Sequence, residues 1–410
     1  MQNTVQRPRS ARGAVAWCTA LAALCLVVAG CGGGDDPAPS TTLQSSTALN
    51  VPAVPEAAVS LLTHTMPALA GGSTPATSLL FVPQGAAPAA GWPVLVWMHG
   101  TTTVLPSSCA PSGTLDTLDG GLTAEGFRSD YAPLIASYVR AGYAVVAPDL
   151  EGIGAAATTP HPYYNGASNA RALIAGLQAA RQADPRLSRR WAAVGHSDGG
   201  RGVLALQQHL ADAPGLEFRG SVAYAPFTSI AASVDRLAQL AAADPANAAL
   251  YAGIQNFFVA MMATALGTST GQAVDTQALM GADLAAQLPT LRSRCVFSAF
   301  GAIAGAVAAR PAGSFDGFKT GWSQVPAMQG FLATNDLAVL PGFAPAHSTL
   351  IVQGTADVFV QEPLAAAFAA ALAARGAPVL YRRYDGADHG SIVNLASADV
   401  LAHLAARFAP

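Results

Sequence analysis

Short apolar runs bounded by turn residues recur along the chain: Ser78 to Val82, Val94 to His99, Tyr143 to Ala147, Trp191 to Gly195, Gly220 to Tyr224, Thr349 to Val352 and Val379 to Tyr384. Their length and boundaries predict strands. Between them, apolar residues at helical spacing predict helices over Tyr131 to Arg140, Ala167 to Gln182, Gly200 to Ala211, Pro363 to Arg375 and Ile392 to Phe408. Strands alternating with helices predict right-handed crossovers and an α/β fold, a mostly parallel central sheet covered by helices on both faces.

One interval breaks the alternation. Between the strand ending near Pro226 and the one starting near Ser348 lie roughly 120 residues that a simple crossover does not need. Apolar stretches at Phe257 to Leu266 and Cys295 to Ala309 are shorter than the roughly 20 residues a bilayer crossing takes. The expectation is a large helical cap or lid, about 228–346, over the strand ends, where open α/β sheets bind ligands. Its apolar faces either form an acyl-chain pocket or pack on the main domain.

The N-terminal pattern differs from the rest. Arg7, Arg9 and Arg12 precede an apolar stretch, Ala14 to Ala29, of signal-peptide rather than membrane-span length. It ends Leu26-Val27-Val28-Ala29-Gly30-Cys31, which resembles a bacterial lipoprotein box. The resemblance implies a signal peptide over 1–30 and lipidation of Cys31, a membrane anchor; ordinary cleavage nearby is the alternative. Gly32 at the next position favours, by the same resemblance, the outer membrane. An exported lipoprotein of the outer membrane, periplasm or cell surface is thus expected. Residues 31–56, rich in Gly, Asp, Pro, Ser and Thr, read as a flexible linker, and 57–410 as the folded domain.

Composition narrows the classes. Of 410 residues 51% are hydrophobic and 11% charged, a globular balance. A net charge of -3 without basic runs argues against a nucleic-acid partner. Cys18 and Cys25 fall within the signal segment, so Cys109 and Cys295 remain. In an oxidising compartment they read as one disulfide, or else as two buried free thiols. No Cys/His spacing suggests a metal.

The chemistry concentrates at Gly195-His196-Ser197-Asp198-Gly199, between an apolar run and the helically spaced Val203, Leu204, Leu206 and Leu210. A serine on a strained strand-to-helix turn needs small residues two before and two after it, and both are glycine. Such a serine needs a base, and the base an orienting carboxylate. Asp357 follows the strand ending near Val352, and His389 follows the next strand, giving the order Ser, acid, His of a nucleophile elbow. Asp385 and Asp388 are rival acids, but sequence neighbours of a histidine point elsewhere. His64, His209, His347 and His403 read as structural or exposed, His161 lies on a loop that could approach the site, and His196 braces the elbow. An oxyanion needs two backbone N–H donors: Asp198 after the nucleophile, and Thr101 in the loop Met98-His99-Gly100-Thr101-Thr102-Thr103.

With these residues assembled, the chain from about Ala57 onward resembles the secretory lipase family of α/β-hydrolases, whose familiar members are yeast lipase A enzymes. The matching stretches are Trp97-Met98-His99-Gly100-Thr101, Cys109-Ala110-Pro111-Ser112, Val146-Ala147-Pro148-Asp149-Leu150-Glu151-Gly152, the elbow, and Gly354-Thr355-Ala356-Asp357. The resemblance implies hydrolysis of triacylglycerol or simpler small-molecule esters, a helical lid in the insertion, and a disulfide involving Cys109, with Cys295 as its partner. The lipoprotein anchor departs from the family.

The leading expectation is a serine carboxylester hydrolase, lipase or esterase, with Ser197, His389 and Asp357 as triad and Thr101 and Asp198 as oxyanion donors, needing neither cofactor nor metal. A peptidase or amidase of the same fold, and a surface-anchored binding protein without turnover, are the alternatives.

Overall fold

Side chains along the central strands face opposite sides in turn, with the period of two that a pleated sheet imposes. Val94, Val96 and Met98 face one apolar cluster while Leu95 and Trp97 face another, and Ala144/Val146 against Val145/Ala147 repeat the division next door. The computed structural model describes residues 41–102, 131–154, 159–271 and 274–409. The expected signal segment, Cys31 and Cys109 lie outside the described residues.

Among the described residues nine strands form one sheet in the order β1-β2-β3-β5-β4-β6-β7-β8-β9. They are β1 (Leu43–Leu49), β2 (Ala57–Pro67), β3 (Ser73–Pro83), β4 (Trp92–Met98), β5 (Ala144–Pro148), β6 (Leu187–His196), β7 (Glu217–Tyr224), β8 (Thr349–Gly354) and β9 (Val379–Tyr384). The pairings β1–β2, β2–β3 and β3–β5 are antiparallel, and the five from β5 through β4 to β9 are parallel. Helices α1 (Tyr131–Arg140), α2 (Gly166–Ala183) and α3 (Asp198–Ala205) alternate with these strands. Buried residues of α2 and α3 join one cluster and those of α1 the other, so both faces are covered.

Between β7 and β8 the chain builds α4 (Ile230–Ala243), α5 (Ala248–Thr270), α6 (Thr276–Leu279), α7 (Ala282–Ala285), α8 (Leu288–Ser293), α9 (Val296–Ala308) and α10 (Pro326–Asn335). They share a third core, which includes Phe257, Phe258, Met262 and Ile303. After β8 come α11 (Glu362–Ala374), α12 (Ile392–Leu395) and α13 (Ser397–Phe408).

Two expectations are corrected. The linker expected over 31–56 contains β1, an edge strand laid antiparallel on β2; its sequence Leu-Gln-Ser-Ser-Thr-Ala-Leu is polar and largely exposed, so it lacked the apolar alternation that announces a strand. The insertion's apolar stretches are also not all short. Helix α5 has 23 residues and is long and apolar enough to cross a membrane, but 72% of its most apolar window is buried inside the protein. Gln255 and Asn256 on it bond to Val234 O and Ala252 O, as suits a helix enclosed by protein.

Candidate active site

Ser197 stands between β6 and α3 with φ 59° and ψ −121°, a backbone state that a non-glycine residue holds only when its surroundings enforce it. The enforcement is visible. Its N–H donates to Tyr224 O at 2.9 Å, and its carbonyl accepts from Arg201 N at 3.1 Å and Phe227 N at 3.2 Å. A Cβ on Gly195 would collide with the Gly199 carbonyl and one on Gly199 with the Met98 carbonyl, so the turn is closed to side chains on both flanks.

Ser197 Oγ donates to His389 Nε2 at 2.9 Å, and His389 Nδ1 donates to Asp357 Oδ2 at 2.7 Å. Asp357 has a fully buried side chain. Its Oδ1 accepts from the amides of Phe359 and Val360, both at 2.9 Å, and its Oδ2 from Gln353 Nε2 at 3.2 Å. These donors fix the orientation of the carboxylate. The rival acids point elsewhere: Asp388 caps the following turn through Gly390 N and Ser391 N, and Asp385 pairs with Arg383 in solvent.

Thr101 and Asp198 line the same cavity as Ser197 and His389. On either side of Thr101, Gly100 N donates to Tyr131 Oη at 3.3 Å and Thr102 N to Tyr163 Oη at 3.2 Å. Asp198 opens α3, where an N–H has no acceptor within its own helix. The elbow histidine ties this loop to His389. Tyr131 Oη lies 2.7 Å from His196 Nδ1, and His196 Nε2 donates to the His389 carbonyl at 2.8 Å. Burial first, and the His389 charge second, hold His196 well below the ordinary imidazole range, so it braces the loop as a neutral ring.

Behind the elbow, Asp198 Oδ1 accepts from Arg201 Nε at 2.7 Å, both side chains being enclosed. Sequence reasoning missed Arg201, Tyr131, Gln353 and Phe359. Only Phe359 had a cue, its place two residues after Asp357. His161 does not line the cavity: its Nδ1 donates to Glu151 O and its ring packs edge-on against Tyr163. His64 bonds to Ser78 Oγ within the core. Cys295 precedes α9.

Burial pushes His161 down to about 4 and also lowers His99 and His196. An unfolded chain binds protons at these rings near pH 6.5 while the folded chain does not, so stability falls as pH drops from about 6.5 towards 4. The melting temperature should decline steadily over that window, and less steeply in His161→Asn, whose amide cannot titrate. A flat profile would contradict the buried neutral rings.

Residues 94–404 match the family model described as the alpha/beta hydrolase family. The chain belongs to that family. Solved structures agree on the fold. The rice cell wall degrading esterase LipA from Xanthomonas oryzae is 19% identical, with a TM-score of 0.65 over 89% of this chain and 97% of that one. Candida antarctica lipase A is 18% identical, with a TM-score of 0.64 over 85% of this chain and 77% of that one. No curated protein matches the chain in sequence.

The hydrogen-bonded series of hydroxyl, imidazole and carboxylate can generate an alkoxide-like nucleophile and return a proton to a leaving group. Among the described residues no group of His, Cys, Asp and Glu has the geometry to hold a metal ion.

Proposed function

We propose that this alpha/beta hydrolase is a serine carboxylester hydrolase, and the observation that carries the reading is the Ser197–His389–Asp357 series at 2.9 and 2.7 Å. Ser197 Oγ attacks the ester carbonyl as its proton passes to His389 Nε2. The oxyanion is met by the N–H groups of Thr101 and Asp198. The carbon–alkoxy bond breaks, the proton on His389 goes to the departing alkoxide, and Ser197 keeps the acyl group. Water, deprotonated by His389, then attacks the acyl carbonyl, and the acid leaves as Ser197 recovers its proton. Asp357 stabilises the imidazolium throughout.

An ester rather than an amide is favoured by the walls of the cavity, which away from the reacting groups are mostly apolar, with six phenylalanines. LipA and lipase A carry the names esterase and lipase, which supports the same choice. The secretory-lipase resemblance, export through residues 1–30, anchoring through a lipid on Cys31 and a Cys109–Cys295 bridge belong to this reading; for the bridge, Cys295 is disulfide-bonded. The test sets p-nitrophenyl esters against p-nitroanilides and a peptide panel. Ester kcat/KM should exceed that of matched anilides by more than about a thousandfold, whereas comparable amide cleavage would favour the peptidase reading.

A further inference from the structure

We propose that the site takes short acyl groups, of about two to four carbons, and is therefore an esterase site rather than one for long-chain lipids; this rests on the hydrolase reading above. The cavity beside Ser197 has a volume of about 50 Å³, against the roughly 150 Å³ of an apolar cavity that accepts benzene. By that scale an acetyl or propionyl tail fits and a butyryl tail fills the space. The walls carry no spare charge: they are Phe227, Phe257, Phe258, Phe297, Phe300 and Phe359 around the reacting groups.

These rings are interlocked. Phe227 and Phe258 centroids are 4.6 Å apart, Phe257 and Phe300 5.8 Å, and Phe300 and Phe359 5.5 Å. The wall is also fastened to the reacting loops at two points. Phe359 packs 5.4 Å from the His389 ring while its amide holds Asp357, and Val296 at the start of α9 donates to Thr102 O at 2.7 Å. A longer chain that pushed α9 outward would pull on Thr102 beside the oxyanion amide, and one that displaced Phe359 would pull on Asp357. Long acyl groups are disfavoured because the walls that would have to yield are tied to the machinery that would cleave them.

The test is kcat/KM on p-nitrophenyl acetate, butyrate, octanoate and palmitate, each below its aggregation threshold. Each surplus methylene in a filled apolar pocket is worth about tenfold or more, so butyrate should exceed octanoate by at least about a hundredfold. In Phe300→Ala and the milder Phe297→Ala, the octanoate-to-butyrate ratio should rise by at least about tenfold. Octanoate cleaved by the unaltered protein as well as butyrate overturns the proposal, whatever the variants do. Labelling of Ser197 by diethyl p-nitrophenyl phosphate together with a long-chain optimum sinks this inference alone. No turnover of any ester and no labelling removes the hydrolase reading and this inference with it.

Discussion

Ser197→Ala is expected to lower kcat on p-nitrophenyl butyrate by about a millionfold, as removing the nucleophile of a serine triad does elsewhere. The loss is large because no neighbouring side chain can replace the hydroxyl: His389 then faces a methyl group, and the oxyanion amides act only on the far slower attack of water. Alanine keeps the Cβ that the turn already accommodates, so the melting temperature should move by no more than a degree or two. Turnover within tenfold of the unaltered protein would remove Ser197 from the reaction. Loss of turnover with loss of folding would instead point to the strained turn.

Arg201→Met is expected to destabilise the fold by about 3–5 kcal/mol, the range for removing one partner of a buried ion pair. Against a typical domain stability of about 5–15 kcal/mol, that is enough to unfold much of the population on mild warming. Asp198 would be left without its partner, in a place where solvent cannot reach. Adding Asp198→Asn should restore most of the loss, because both charges then leave together. Chemical denaturation of the two variants measures this, and a double variant no better than the single one would show that Arg201 acts through packing, its guanidinium carbon lying 5.8 Å from the centroid of the Tyr164 ring.

The fold was legible where the pattern had a phase. Apolar runs at Val94, Tyr143, Trp191 and Thr349 fall on β4, β5, β6 and β8, since strands buried on both faces read as continuous hydrophobic segments. Helix α1 matches its predicted bounds, whereas the continuous helix expected to Phe408 is interrupted at Ala396 between α12 and α13. Strand β1 was silent because an edge strand facing solvent needs no apolar face. In the insertion, α5 is apolar on all sides, so periodicity could mark neither its ends nor its orientation.

At the site, Ser197, Asp357 and His389 were readable because each follows a strand end and chemistry restricts what may stand there. Tyr131, Gln353 and Arg201 were not. Each acts on a residue distant in sequence or hidden behind the turn, and a tyrosine on a helix or a glutamine in a strand reveals no partner until the chain has folded.

The backbone anchors of Ser197 reach to Tyr224 and Phe227, on and just beyond a neighbouring strand, so the pentapeptide is not a portable device. Grafted onto the strand–helix turn of an unrelated scaffold, Gly-His-Ser-Asp-Gly would relax to an ordinary bend and leave the hydroxyl misaimed. A transplant that works would have to carry the adjacent strand's exit as well.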